Sequence, residues 1–399
     1  MQQALQRAIV IVLDGVGVGA LPDAAHYGPP DADPCANCLR NTAQSVGGLA
    51  LPHLGMLGLG CITDIQDTPG EKHPTGCYGR MAEQSAGKDS TTGHWELIGI
   101  ITATPLPTYP QGFPQTIITA FEDAIGRKTI GNYPASGTAI IQDLGAEHLR
   151  TGCPIVYTSA DSVFQIAVHE DVATRETLYQ WCTQARAILQ PPHAVGRVIA
   201  RPFSGSAGHF IRTPYRHDFA LPPPSPTFLD ALQKAGYDVI GLGKIGDLFA
   251  EQGLTASEHP SSDEATMART LESLDRDWRG LLFVNLVDCD TLYGHRRDPS
   301  GYAATLRAFD AWLPTLFSHL GPLDAVFITG DHGTDPTVSG TDHTREYVPL
   351  LVAGPAVRAG FDLETRSSFA DLGTTIGEAL GLHHQLHTGT SFWKKIQNT

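Results

Sequence analysis

Apolar residues along this chain gather in short runs separated by stretches with helical spacing. Ala8–Leu13, Asp238–Leu242, Leu281–Val287, Ala325–Thr329 and Val348–Ala353 are almost continuously apolar. Runs of this length that do not alternate with polar residues read as strands buried on both faces, as in a parallel sheet. Between them the period changes. After Asp298-Pro299 the apolar positions are Leu306, Phe309, Leu313, Leu316, Phe317 and Leu320, one stripe of an amphipathic helix. Asp298 is placed to cap that helix and Pro299 suits its first turn. Strands alternating with helices predict an α/β fold: a mostly parallel sheet flanked by helices. There is no internal repeat and no low-complexity segment.

The middle of the chain breaks this rhythm. Residues 102–221 carry strand candidates of their own, Ile155–Thr158 and Val195–Ala200, together with their own helical patterns. Thr104-Pro105-Leu106-Pro107 precedes the block and Leu221-Pro222-Pro223-Pro224 closes it. Paired proline-rich flanks around a self-sufficient block predict an α/β domain inserted into a discontinuous host, 1–101 with 222–399. At 399 residues, two domains are expected on length alone.

Charge narrows the function. The 42 acidic and 27 basic side chains give a formal net charge of -15, which argues against nucleic acid or an anionic membrane as the main partner. The apolar run at 8–13 is too short for a secretory leader, and no stretch reaches the ~20 residues of a membrane span. Seven cysteines, an odd number, fit a reducing compartment, so a cytoplasmic protein is expected. Cys35 and Cys38 form a lone C-x-x-C with no second pair, and they read as free structural thiols.

Three of the expected strands run into acid. Ala8–Leu13 leads to Asp14, Leu281–Val287 to Asp288-Cys289-Asp290 with His295 beyond, and Ala325–Thr329 to Asp331-His332. Asp342-His343 follows closely. Function in open α/β sheets collects outside the carboxyl ends of the strands, so these ends are expected to share one crevice. A lone Asp after a strand is ordinarily a turn or cap residue, and a lone His a surface residue. Together, several carboxylates in one crevice would repel each other strongly without a cation. Asp14, Asp290, Asp331, His295, His332 and His343 suffice for two metals with three protein ligands each. Oxygen and nitrogen ligands without thiolate favour Mn²⁺, Zn²⁺ or Fe²⁺, with Mg²⁺ also compatible. Cys289 alternates to the opposite side of its strand and is left out.

The run Gly87-Lys88-Asp89-Ser90-Thr91-Thr92-Gly93-His94-Trp95-Glu96 is a second dense site. It offers three hydroxyls at an expected helix start. A hydroxyl there, beside metals that lower its pKa and backbone N–H groups that hold phosphate, is suited to be a nucleophile. Taken alone, the same run is an ordinary Ser/Thr-rich cap.

These residues stand inside longer strings: Asp14-Gly15-Val16-Gly17-Val18-Gly19, Pro134-Ala135-Ser136-Gly137-Thr138, Tyr157-Thr158-Ser159-Ala160-Asp161-Ser162, Gly196-Arg197-Val198-Ile199-Ala200-Arg201-Pro202-Phe203, Arg212-Thr213-Pro214 and Gly340-Thr341-Asp342-His343-Thr344-Arg345-Glu346. In them the chain resembles, over nearly its whole length, the prokaryotic metal-dependent phosphopentomutases of the alkaline phosphatase superfamily. The resemblance implies an alkaline-phosphatase-like core with an inserted cap domain. It implies two Mn²⁺ ions, one on Asp290, His295 and His343, the other on Asp14, Asp331 and His332, bridged by the nucleophile. That nucleophile falls at Ser90, where the family usually has Thr. Ser159, Asp161, Arg197, Arg212 and Lys244 match its substrate-binding positions. The implied substrates are small pentose phosphates. Ribose 1-phosphate and 2-deoxyribose 1-phosphate would be interconverted with the 5-phosphates, through phosphoserine and a 1,5-bisphosphate, in nucleoside salvage. A sugar 1,5- or 1,6-bisphosphate would be the activator. A phosphomonoesterase, or a mutase on another phosphorylated substrate, would use the same core. Nothing in the pattern requires more than a monomer. Gly15 stands where Ser is usual, Thr334 where Asn is usual and Tyr133 where Lys is usual; the first two flank metal positions.

Overall fold

The computed structural model describes residues 4–159, 161–382 and 388–398; Ala160, inside one of the strings above, lies outside them. The chain divides into two compact units, Met1–Thr104 with Pro223–Thr399, and Pro105–Pro222.

The first unit is built on an eight-stranded sheet. From one edge the strands are Ala256–Glu258, Asp238–Leu242, Gly280–Leu286, Arg7–Leu13, Asp324–Thr329, Val348–Ala353, Cys77–Met81 and Asp362–Arg366. The first five run parallel, Val348–Ala353 is antiparallel to both its neighbours, and Asp362–Arg366 is again parallel to Cys77–Met81. The sheet is therefore mostly parallel and flanked by helices, the expected α/β class. Every residue of Arg7–Leu13, Gly280–Leu286 and Asp324–Thr329 is buried, which is why these stretches read as unbroken apolar runs. Cys77–Met81 and Asp362–Arg366 were not expected. Their sequences, CYGRM and DLETR, hold too few apolar positions to register, and pairing with stronger strands carries them.

The helix Pro299–Ser318 lies where the stripe predicts it, with the Asp298 carboxylate accepting from the Gly301 N–H at 2.9 Å. Its Leu306, Phe309, Leu313 and Leu316 pack with Ile9, Ile11, Leu282 and Val284 in one apolar cluster on one face of the sheet. Below the sheet's amino end, Arg7 Nε donates to both carboxylate oxygens of Asp324 at 3.0 Å, and Arg7 Nη1 donates to the Leu274 carbonyl at 2.6 Å. This pair joins the first strand to a strand more than three hundred residues away in sequence.

The second unit has its own sheet in the order Ile130–Pro134, Ile155–Thr158, Val163–His169, Arg197–Ser206, His209–Arg212, with His217–Ala220 pairing the first half of Arg197–Ser206. The strand expected at Val195–Ala200 starts two residues later and continues to Ser206, because its second half turns back on His209–Arg212 in a hairpin. One face carries Phe164, Ile166 and Val198 against the helices Gln115–Ile125 and Arg175–Ile188; the other carries Tyr157, Ala167 and Phe203 against Gly137–Thr151. All seven cysteines are unpaired. Among the described residues no helix is long and apolar enough to cross a membrane.

The Arg7–Asp324 pair is buried, so breaking it leaves a charge without a partner. Arg7→Met is expected to lower the unfolding free energy by roughly 3–5 kcal/mol. Arg7→Met combined with Asp324→Leu should recover much of that loss, and urea denaturation of the three proteins measures both effects.

Candidate active site

Register brings the acidic strand ends together. Leu13 pairs with Leu286, and Val12 with Thr329, so the three central strands end level and their continuations leave on one side. There Asp14, Asp331 and His332 hold ligand atoms within 4.8 Å of one another, and so do Asp290, His332 and His343. His332 belongs to both groups. Its Nε2 is 3.5 Å from Asp14 Oδ1 and 3.3 Å from Asp331 Oδ2. His295, expected with Asp290 and His343, stands outside the tight group. Its Nε2 is nonetheless 3.4 Å from Asp290 Oδ1, close to the 3.5 Å of His343 Nε2. The Thr341 carbonyl holds His295 Nδ1 at 2.7 Å, which leaves Nε2 to face the carboxylate. Asp342 is not in these groups; it accepts from the His343 N–H and pairs with Lys88 at 3.1 Å.

The surrounding contacts orient these ligands. The turn after Asp14 passes through Gly15 at φ +76, a conformation that side chains other than glycine rarely adopt. A Cβ there would also lie 2.7 Å from Thr334 Oγ1. The Gly15 N–H donates to Asp331 Oδ1 at 3.0 Å, and its carbonyl accepts from the Tyr302 hydroxyl at 2.7 Å. Thr334 Oγ1 donates to Asp290 Oδ1 at 2.7 Å. Each loop that carries a candidate ligand is thus held by hydrogen bonds from its neighbours.

Electrostatics separates the carboxylates. Burial, then the charge of Asp331, pushes the Asp14 carboxyl up. Burial acts the same way on Asp290, but hydrogen bonds from His295 and His343 outweigh it and hold Asp290 well below the usual carboxylate range. Burial is likewise overcome at Asp331, where the charges of His332 and His94 prevail and the pKa falls to about 2. Asp14 Oδ1 and Asp331 Oδ2 are buried and accept no hydrogen bond of good geometry from a described residue. Such oxygens are costly unless something pairs with them. A divalent cation fits: the donors are carboxylate oxygens and imidazole nitrogens, and the nearby Cys289 is held by burial well above the usual thiol range, an unfavourable state for a thiolate ligand.

Ser90 opens the helix Ser90–Leu97. Its Oγ is 3.2 Å from His332 Nε2, the imidazole common to both groups. Asp89 caps the helix, accepting from the N–H groups of Thr91 and Thr92 and from the Thr92 hydroxyl. That last bond ties down one of the two competing hydroxyls. The helix reaches the metal loop because residue 93 is glycine: a Cβ there would lie 2.1 Å from the Asp331 carbonyl oxygen. His94 Nδ1 sits between the Ser90 carbonyl at 2.8 Å and Asp331 Oδ2 at 3.2 Å.

Two buried residues to which sequence reasoning gave no role hold this loop. Arg345, 2% exposed, donates through Nη1 to Glu83 Oε2 and to the carbonyls of Ser85 and Gly87, and through Nη2 to the Glu83 carbonyl. Glu96 accepts from the N–H groups of Gln84, Ser85 and Phe369 and from the Ser368 hydroxyl. Arg345 lies within one of the quoted strings, but nothing in its spacing says that its partners are the carbonyls that lead into Ser90.

The expected substrate residues fall in both units. Lys244 Nζ, in the first, is 3.2 Å from Asp14 Oδ2 and 3.9 Å from Asp290 Oδ2. In the second, Arg197 pairs with Asp161 at 3.4 Å and with Asp218 at 3.6 Å; Ser159 follows the strand Ile155–Thr158, and Arg212 is exposed at the end of His209–Arg212.

Residues 6–384 match the family model of the Metalloenzyme superfamily. The chain is 55% identical to the phosphopentomutase of Dictyoglomus thermophilum, over 98% of this chain and 99% of that one. It is 53% identical to the phosphopentomutase of Carboxydothermus hydrogenoformans and 52% identical to that of Herpetosiphon aurantiacus, in each case over 98% of this chain and 100% of the relative. The chain belongs to the phosphopentomutase family within the Metalloenzyme superfamily; it is an isomerase that uses divalent metal.

A metal that binds only the folded crevice stabilises the fold by mass action. Adding Mn²⁺ to chelator-stripped protein should raise Tm, and Asp14→Asn should remove most of that rise. Without metal the order is expected to reverse. The raised folded-state pKa of Asp14 means that its ionisation opposes folding as pH rises above the ordinary value of 3.8. Metal-free Asp14→Asn should therefore be more stable than metal-free wild type at pH 7–8, with the gap closing toward pH 4. Thermal melts across that range, with and without chelator, give both comparisons.

Proposed function

We propose that this phosphopentomutase interconverts ribose 1-phosphate, and 2-deoxyribose 1-phosphate, with the 5-phosphates through a phosphoserine at Ser90. The observation that carries this reading is the position of the Ser90 hydroxyl. It sits at a helix N-terminus, 3.2 Å from the one imidazole common to both ligand groups, while the Thr92 hydroxyl is tied to Asp89. In this reading Asp14, Asp331 and His332 hold one divalent ion and Asp290, His295 and His343 another, taken as Mn²⁺ from the resemblance. Such ions supply positive charge that lowers the pKa of the nucleophilic hydroxyl and neutralises phosphoryl oxygens.

The reaction consists of two phosphoryl transfers. Phosphoserine 90 gives its phosphoryl group to the free hydroxyl of the pentose monophosphate. The Ser90 Oγ–P bond breaks, a sugar O–P bond forms, and in net the proton of the sugar hydroxyl passes to Ser90 Oγ, to be returned to the sugar oxygen in the second transfer. The resulting 1,5-bisphosphate then returns its other phosphoryl group to Ser90 Oγ, and the new monophosphate leaves. A sugar 1,5- or 1,6-bisphosphate restores phosphoenzyme that water has hydrolysed. The first unit is the catalytic core. The inserted unit supplies substrate recognition through Ser159, Asp161, Arg197 and Arg212, and Lys244 contributes a further cation. The free thiols and acidic charge support action in the cytoplasm on a small molecule.

Conversion of ribose 1-phosphate to ribose 5-phosphate, with Mn²⁺ and a bisphosphate activator, tests the assignment. Ser90→Ala is expected to lose on the order of 10⁴-fold or more in turnover. Thr91→Ala should stay near wild type, and Thr92→Ala should lose part of its activity through the weakened Asp89 cap. Undiminished turnover in Ser90→Ala would remove Ser90 from the mechanism. Release of inorganic phosphate faster than isomerisation would identify a phosphomonoesterase instead.

A further inference from the structure

Outside the metal crevice, the first unit contains a cavity of about 140 Å³. Residues of the helices Asp263–Leu274 and Pro299–Ser318 line it, together with the carboxyl ends of the strands Arg7–Leu13 and Gly280–Leu286. Its floor is apolar: Leu13, Leu286, Cys289, Leu306 and Phe309 are all buried. Met267 is half-buried in the wall, and Glu264 and Ala308 are exposed, so the cavity meets solvent on their side. An apolar void of roughly this size, about 150 Å³, is enough to hold a molecule such as benzene.

The charged part of the wall has one sign. Asp263, Glu264 and Asp288 line the cavity, and among the described residues no Lys, Arg or His does. Asp263 is only 7% exposed. It accepts from the Val287 N–H at 2.7 Å through Oδ1 and from the Asp288 N–H at 3.2 Å through Oδ2, which leaves each oxygen a second lone pair. Those two bonds do not balance its surroundings. Burial first, and then the charge of Asp288, push the Asp263 carboxyl up to about 7. What this wall lacks is positive charge. The floor, by contrast, gives water few partners, so an apolar group displaces it readily. A ligand that suits both has an apolar body and a single compact cationic head. An ammonium offers three donors to the carboxylates.

We propose that this cavity binds a small amphipathic monocation, a primary alkylammonium of about four carbons, with its chain on the apolar floor and its ammonium against Asp263 and Glu264. Leu13 and Cys289 immediately precede Asp14 and Asp290 in the chain, so the site adjoins two candidate metal ligands without using either. It depends neither on the mutase reading nor on the identity of the nucleophile.

Met267 supplies the readout, because it is one of only four methionines and it lines the cavity. The full chain, loaded with Mg²⁺ and labelled with ¹³C at the methionine methyls, is titrated with n-butylammonium and separately with n-butanol, which has the same chain without the charge. The expected result is a saturable shift of the Met267 methyl resonance with n-butylammonium, while those of Met56 and Met81 stay in place. n-Butanol should bind roughly 10-fold more weakly, the loss of a hydrogen bond between charged groups. Glu264→Gln should weaken n-butylammonium roughly 3-fold and leave n-butanol unchanged. Ala308→Phe, a bulky side chain at the exposed side, should abolish the shift with either probe. Both substitutions are at exposed positions, and Tm should stay at the wild-type value. Absence of a saturable Met267 shift, equal binding of the two probes, or a shift that survives Ala308→Phe overturns the proposal.

Discussion

Three carboxylates buried in one crevice are the constraint on which the first unit turns. Asp14, Asp290 and Asp331 are each no more than 2% exposed. They meet because three adjacent parallel strands end level, so the fold itself forces like charges together. Ionised carboxylates so placed resist folding unless each finds a partner of opposite sign or a donor. Asp290 finds His295 and His343, Asp331 finds His332, His94 and the Gly15 N–H, and Asp14 finds Lys244. One oxygen each of Asp14 and Asp331 faces only imidazole nitrogens and accepts no hydrogen bond of good geometry from a described residue. The arrangement is intelligible as a cation site whose stability cost is offset only when it is loaded, a common trade between stability and function.

The proposed nucleophile depends on the same crevice through a second layer of buried charge. Ser90 has its position because Asp89 caps its helix, Gly93 lets that helix lie against the Asp331 backbone, and Arg345 and Glu96 hold the preceding loop. Arg345 and Glu83 are both almost fully buried, so the loop is fixed by charge-assisted bonds rather than by apolar packing. This rigidity suits the role proposed for Ser90, which would meet two phosphoryl transfers in the same place. It also accounts for the density of Gly, Asp and Thr around the crevice, where close backbone approach and side-chain-to-backbone bonds matter more than volume.

Much of this was legible in the sequence, and the parts that were not have physical reasons. The central strands could be read because burial on both faces demands unbroken apolar runs, and the helix Pro299–Ser318 because its stripe and cap agree. The acidic strand ends could be read because chemistry collects there. The strands Cys77–Met81 and Asp362–Arg366, the last two of the sheet, could not, since their partners rather than their composition make them strands. The role of Arg345 was hidden because its acceptors are backbone carbonyls, which leave no trace in the identity of the residues that bear them. His332 was expected to serve one metal group, but its ring lies between two, a fact of rotamer and distance that spacing cannot express.

The central claim is that the crevice holds two cations with His332 between the groups and Ser90 facing both. Anomalous diffraction at the manganese edge, from crystals of the Mn²⁺-loaded protein, tests it most directly. The account predicts two peaks, one against Asp14, Asp331 and His332 and one against Asp290, His295 and His343, with Ser90 Oγ the nearest hydroxyl to both. A single peak, or a second one away from these residues, would contradict it.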